Sequence, residues 1–179
     1  LLGPSVADVD GYEDDRTSTI SVFNGPLPLI KNFDMQEKEI SFVSEWIGNL
    51  LDEGYEPHEI GVIVRSENEL DRATAAVEKA GMPYKILDSY IQLAHGSAAI
   101  CTMHLAKGLE FRAVVVMACD DEIIPSQGRI ESVADNADLE EVYDTERHLL
   151  YVACTRARDR LLITSGEMPS EFLEDMSSQ

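Results

Sequence analysis

Hydrophobic residues along this chain follow two alternating rhythms. Short, β-prone apolar runs occur at residues 19–23, 60–65, 84–87, 98–103, 114–118 and 160–164. Several are apolar throughout rather than every second residue, the pattern of strands covered on both faces. Between them lie stretches with helical spacing. Ile40, Val43, Trp46, Ile47, Leu50 and Leu51 form one stripe, with Asp34 and Glu37 as a capping-box-like start and Gly54 as a stop. Leu70, Ala73, Ala76, Val77 and Ala80 form a second, opened by the capping box Ser66-Glu67-Asn68-Glu69 and closed by Gly81. A third helix is expected over residues 145–157, with Leu149, Leu150 and Ala153 turned inward. Strand alternating with helix predicts an α/β fold with a mainly parallel sheet flanked by helices.

Two stretches break the rhythm. Residues 1–18 carry Asp8, Asp10, Glu13, Asp14 and Asp15 among Gly, Pro and Ser, and read as an acidic, poorly ordered linker ahead of a domain at 19–179. Residues 120–144 are acidic, hold Pro125, Gly128 and Asn136, and read as a long surface loop with room for a short helix.

Composition narrows the class. A chain of 179 residues, 44% hydrophobic, is long enough to bury a full core without disulfides. It has no run of about 18 apolar residues and no basic-then-apolar leader, so a cytoplasmic protein without membrane contact is expected. Cys101, Cys119 and Cys154 lie far apart and read as reduced, buried thiols. His58, His95, His104 and His148 show no ligand-like spacing, so no metal site is expected. The formal charge of −20 should repel bulk nucleic acid. Such a chain either avoids nucleic acid or meets it through a local patch, with help from another domain.

Two segments carry candidate chemistry. Ligands in open α/β sheets bind outside the carboxyl ends of strands, and both segments are expected there. The first is residues 102–111, where Thr102, His104, Lys107, Gly108 and Glu110 crowd a connection between two core strands. It reads either as a ligand-binding loop, in which Gly108 lets the backbone approach a ligand, or as an ordinary polar connection. The second, residues 145–158, contributes Arg147, Arg156 and Arg158, with Arg160 just beyond. These arginines read either as surface ion pairs or as an anion site, since a guanidinium fork matches phosphate oxygens. A hydrophobic run ending in Asp120, Asp121 and Glu122 imitates the magnesium-holding strand of P-loop ATPases. No G-x-x-x-x-G-K-[ST] loop precedes it, so these acids are expected to be solvated loop residues.

Together the segments resemble the UvrD/Rep-like superfamily 1 DNA helicases. Thr102-Met103-His104-Leu105-Ala106-Lys107-Gly108-Leu109-Glu110-Phe111 is similar to helicase motif V. Tyr151-Val152-Ala153-Cys154-Thr155-Arg156-Ala157 is similar to motif VI, with Glu146-Arg147 as lead-in, and the run at 60–65 followed by Ser66 resembles a family strand ending in R-S. The resemblance implies a RecA-like three-layer sandwich, the second motor domain of an ATP-dependent DNA helicase. It implies single-stranded DNA contacts from Thr102 and His104, with Lys107 in the same patch. It implies a ribose contact from Glu110, a phosphate approach at Gly108, and a catalytic arginine finger at Arg156 that also binds the nucleotide. ATP would be shared with a first RecA-like domain, which also holds the Mg ion.

The phosphate loop, the magnesium motif and the family's motif IV are not in this sequence and are expected upstream of Leu1. The connection from Leu87 to Ala98 is too short for the large subdomain that interrupts UvrD and Rep ahead of motif V. Alone, the chain is expected to hydrolyse no ATP and to bind single-stranded DNA weakly. The competing expectation is a non-catalytic RecA-like adaptor that grips a protein partner through the acidic loop at 120–144.

Overall fold

The fully apolar runs become the middle of a parallel sheet. The computed structural model describes residues 5–7, 13–15, 25–90, 94–133 and 136–177. Strands are β1 (Ser5–Ala7), β2 (Glu13–Asp15), β3 (Leu29–Asn32), β4 (Ile60–Val64), β5 (Tyr84–Ile86), β6 (Ala98–Thr102), β7 (Phe111–Val116) and β8 (Ala157–Ser165). Helices are α1 (Gln36–Asp52), α2 (Leu70–Lys79), α3 (Gln127–Glu131), α4 (Asn136–Cys154) and α5 (Glu171–Ser177). Among the described residues, six strands pair in the order β3-β8-β7-β4-β6-β5, every pair parallel.

Burial follows the pleat. Every residue of β4 and β6 is buried, as it must be when helices cover both faces. Ile60, Val62 and Val64 of β4 pack with Val43, Ile47 and Leu50 of α1 and Ala73, Ala76 and Val77 of α2. Ile63 turns to the opposite face, where Leu150 and Ala153 of α4 and Phe172 and Leu173 of α5 lie. This gives three layers, helix–sheet–helix.

Local signals set most boundaries. Ser66 Oγ accepts the Asn68 N–H, and the Glu69 carboxylate accepts the Ser66 N–H at 2.8 Å, so the capping box forms and a 3-10 turn leads into α2. Gly54 and Gly81 take positive φ after α1 and α2.

Several expectations are corrected. The start of α1 is not capped by Asp34; Met35 holds the cap position without a side-chain bond, and Asp34 pairs with Lys38 instead. The segment 120–144 is not one loop, since α3 and the first turns of α4 occupy its second half. The third helix begins nine residues earlier than expected, at Asn136, and ends at Cys154, which leaves Arg156 in the turn before β8. Leu29–Asn32 was not foreseen as a strand; it lies at the sheet's edge and is mostly exposed, so it lacks the apolar run that marks central strands. In the segment read as linker, β1 and β2 pair antiparallel. The strand expected over 19–23 lies outside the described residues.

Candidate nucleotide and nucleic-acid edges

The link between β6 and β7 decides where the chemistry sits. Both strands run parallel to β4, which lies between them, with Thr102 opposite Val64 and Ala113 opposite Ile60. Residues 103–110 must therefore descend from the sheet's carboxyl edge to its amino edge, about 17 Å at ~3.3 Å per strand residue. They cross one face as tight turns, with Met103, Ala106 and Leu109 buried in the α4–α5 core. At the top, the Met103 N–H donates to Val64 O at 2.8 Å; at the bottom, the Phe111 N–H donates to Arg156 O at 2.9 Å.

The polar residues of this segment are thereby divided. Thr102 and His104 stay at the carboxyl edge, Thr102 nearly buried and His104 exposed. Gly108 and Glu110 lie towards the amino edge, both exposed, and Lys107 is exposed in the turns between the two groups. Gly108 has φ +83° with nothing near a notional Cβ, so the backbone there is open to close approach.

Arg156 meets the second group. Its guanidinium donates to Leu109 O at 3.2 Å, Val152 O at 3.0 Å and Thr155 Oγ1 at 3.1 Å. All three acceptors are uncharged, and among the described residues Arg156 forms no ion pair. Its neighbours do: Arg158 with Glu110 at 3.4 Å, Arg160 with Glu53 at 3.4 Å, and Arg147 with Asp144 at 3.7 Å, where it also lies over the Phe172 ring. The expected carboxyl-end position thus holds for the start of the first segment, after β6, and is corrected for its far end and for Arg156 of the second. Arg156 precedes β8, and a residue entering a parallel strand stands at the amino edge.

Buried charges at the carboxyl edge were missed. Arg65, just after β4, donates to both carboxylate oxygens of Glu146 at 2.6 Å, and Arg129 adds a third bond at 2.9 Å. The Ser126 N–H supplies a fourth at 3.3 Å. Burial pushes the Glu146 carboxyl up, but the hydrogen bonds and charge of Arg65, with Arg129, outweigh it, and its pKa falls below the ordinary value. His104 is pushed down by partial burial and by the charges of Arg65 and Arg129, against the opposing pull of Glu146, so its imidazole is uncharged at neutral pH.

Further along the edge, Arg72 bridges Glu39 and Asp120, at 2.5 Å from Nη1 to Asp120. Glu39 also accepts from the Ala118 N–H and the Thr164 hydroxyl, and Asp120 from the Gly166 N–H. Glycine is required at 166, because a Cβ would fall on the Arg72 guanidinium. Burial outweighs the Arg72 charge and raises the Glu39 pKa. Asp120 is 4% exposed, so it is no solvated loop acid; Asp121 and Glu122 are exposed. The sequence signal available was Arg65 ending a fully apolar strand, a place where a charge needs a partner.

All three cysteines are buried thiols, and burial raises Cys101 and Cys154 to about 12. Among the described residues no group of three or more His, Cys, Asp or Glu could hold a metal ion, and no helix is long and apolar enough to cross a membrane.

Residues 90–167 match the UvrD-like helicase C-terminal domain family. The chain is 37% identical over 83 residues to DNA helicase II of Rickettsia typhi, a match covering 46% of this chain and 12% of that protein. It is 38% identical over 88 residues to ATP-dependent DNA helicase PcrA of Staphylococcus epidermidis, covering 43% of this chain and 11% of that protein. The matched stretch is thus a small part of these relatives. In fold it is similar to the C-terminal domain of a possible DNA helicase from a Lactobacillus, with a TM-score of 0.60 and 22% identity over 86% of this chain and 84% of that one.

Proposed function

We propose that this chain, whose residues 90–167 match the UvrD-like helicase C-terminal domain family, is the second motor domain of an ATP-dependent DNA helicase, working with a first RecA-like domain of the same protein in the cytoplasm. On this reading residues 19–179 form the motor domain and residues 1–18 a linker. The supporting observation is Arg156: a half-exposed guanidinium without a carboxylate partner among the described residues, bonded to Leu109 O, on the edge where Gly108 and Glu110 are exposed.

These residues suit ATP chemically. Gly108 admits a phosphate close to the backbone. Glu110, whose ion pair with Arg158 is exposed, can accept hydrogen bonds from ribose hydroxyls. Arg156 brings positive charge to the γ-phosphate oxygens when the cleft closes. The nucleotide supplies the anhydride whose hydrolysis drives closing and reopening; the Mg ion and the phosphate-binding loop belong to the first domain. Thr102 and His104, on the opposite edge, contact single-stranded DNA. The neutral imidazole of His104 serves as a hydrogen-bonding group, not a charge. Lys107, exposed in the turns that follow Thr102 and His104, adds positive charge to this DNA patch. Without its partner domain the chain hydrolyses no ATP and binds single-stranded DNA weakly.

In the complete protein, Arg156→Ala should cut steady-state ATP turnover by on the order of a thousandfold, with little loss of ATP affinity. Glu110→Ala should weaken nucleotide binding instead. Unchanged turnover in Arg156→Ala would remove the arginine finger and this reading of the amino edge.

A further inference from the structure

We propose that Arg129, clamped on Glu146 beside His104, is a backbone-phosphate contact for single-stranded DNA. This rests on the reading of the carboxyl edge as the DNA track and adds a residue to it.

Stoichiometry carries the argument. Arg65 alone satisfies both oxygens of Glu146, with two bonds of 2.6 Å. A second guanidinium on the same carboxylate leaves one net positive charge. Of the two, Arg65 has only 7% of its side chain exposed, whereas Arg129 has 41%. Arg129 spends one donor nitrogen on Glu146; most of its remaining N–H groups are uncommitted among the described residues. The surplus charge is therefore on Arg129, at the surface.

Position supplies the ligand. Arg65 follows Val64, which pairs with Thr102 and accepts the Met103 N–H, so the cluster stands beside the Thr102–His104 step. Partial burial and the charge of Arg65 disfavour a charged imidazole at His104, so the positive charge for a phosphate is better supplied by a guanidinium. In a chain of net charge −20, a strand crossing this edge needs a local cation, and Arg129 is one already held in place. Clamping matters because a guanidinium fixed in advance loses less rotamer freedom when phosphate binds.

The test is equilibrium binding of the complete protein to a fluorescent oligo-dT across about 50 to 200 mM salt. Arg129→Gln should weaken binding roughly five- to tenfold at the low-salt end and flatten the log–log salt slope by about 0.7, one single-strand phosphate contact. Arg129→Lys should restore the slope. If Thr102→Val weakens binding while Arg129→Gln changes neither affinity nor slope, the Arg129 contact is wrong and the DNA edge survives. If Thr102→Val, His104→Ala and Arg129→Gln all bind like wild type, the edge reading itself fails. A measurement independent of variant folding is phenylglyoxal modification of the wild-type protein: bound oligo-dT should protect Arg129, and equal modification with and without DNA overturns the contact.

Discussion

Two buried arginine–carboxylate clusters share the carboxyl edge of the sheet, and their stoichiometries are inverted. Beside β4, Arg65 and Arg129 converge on Glu146; beside β8, Arg72 serves Glu39 and Asp120. The second cluster is closed: its three side chains are at most 7% exposed, and it ties α1, α2 and the segments after β7 and β8 into one knot. The first is open on one side, at Arg129. Two guanidiniums over one carboxylate depress the Glu146 pKa; one guanidinium shared between two carboxylates does not offset burial at Glu39, whose pKa rises. The same residue types, counted differently, make a structural fastener in one place and a cationic surface in the other.

The comparison can be broken at its hubs. Glu146→Gln leaves two arginines without a carboxylate, one of them nearly fully buried, and should cost about 3–5 kcal/mol in urea unfolding of this chain. Glu39→Gln should cost less, about 1–2 kcal/mol, because Arg72 keeps Asp120 and the new amide oxygen still accepts from Ala118 and Thr164. Equal losses would mean that the two clusters are held by the same balance of forces.

Acid separates them further, with a smaller effect. Glu146 has a depressed folded pKa, so its contribution is present above the ordinary glutamate value of 4.5 and is lost as pH falls through the lower folded value. Glu39 has a raised folded pKa, so its proton-linked contribution is full below 4.5 and is lost as pH rises through the folded value. Melting temperatures from neutral pH downward should show wild type gaining on Glu39→Gln before pH 4.5 is reached. The gap to Glu146→Gln should close only below it. A gap to Glu146→Gln that closed first would reverse the assignment of the two shifts.

What the sequence made legible follows from what its signals encode. Apolar runs and helical stripes report burial directly, so β4, β6, α1, α2 and the covered faces were readable, as was the Ser66–Glu69 cap. Motif spelling pointed to Thr102, His104, Gly108, Glu110 and Arg156 but not to their division between two edges. That division depends on β7 lying parallel to β6 across β4, a non-local pairing. Glu39, Arg72 and Glu146 sit in helices among other charges and look like solvated surface; only tertiary packing makes them partners. Asp120 looks like a solvated acid in the sequence for the same reason: its arginine is 48 residues away. Leu29–Asn32 escaped because an exposed edge strand has no apolar run to announce it.

Residues 103–110 are a tether pinned along its length. One end is tied to Val64 and the other to Arg156, and Ala106 and Leu109 pin the middle into the core. Surface connections usually absorb insertions; here an extra residue has room only at the exposed Lys107–Gly108 turn, because elsewhere it would break an end tie or turn a pinned side chain to water.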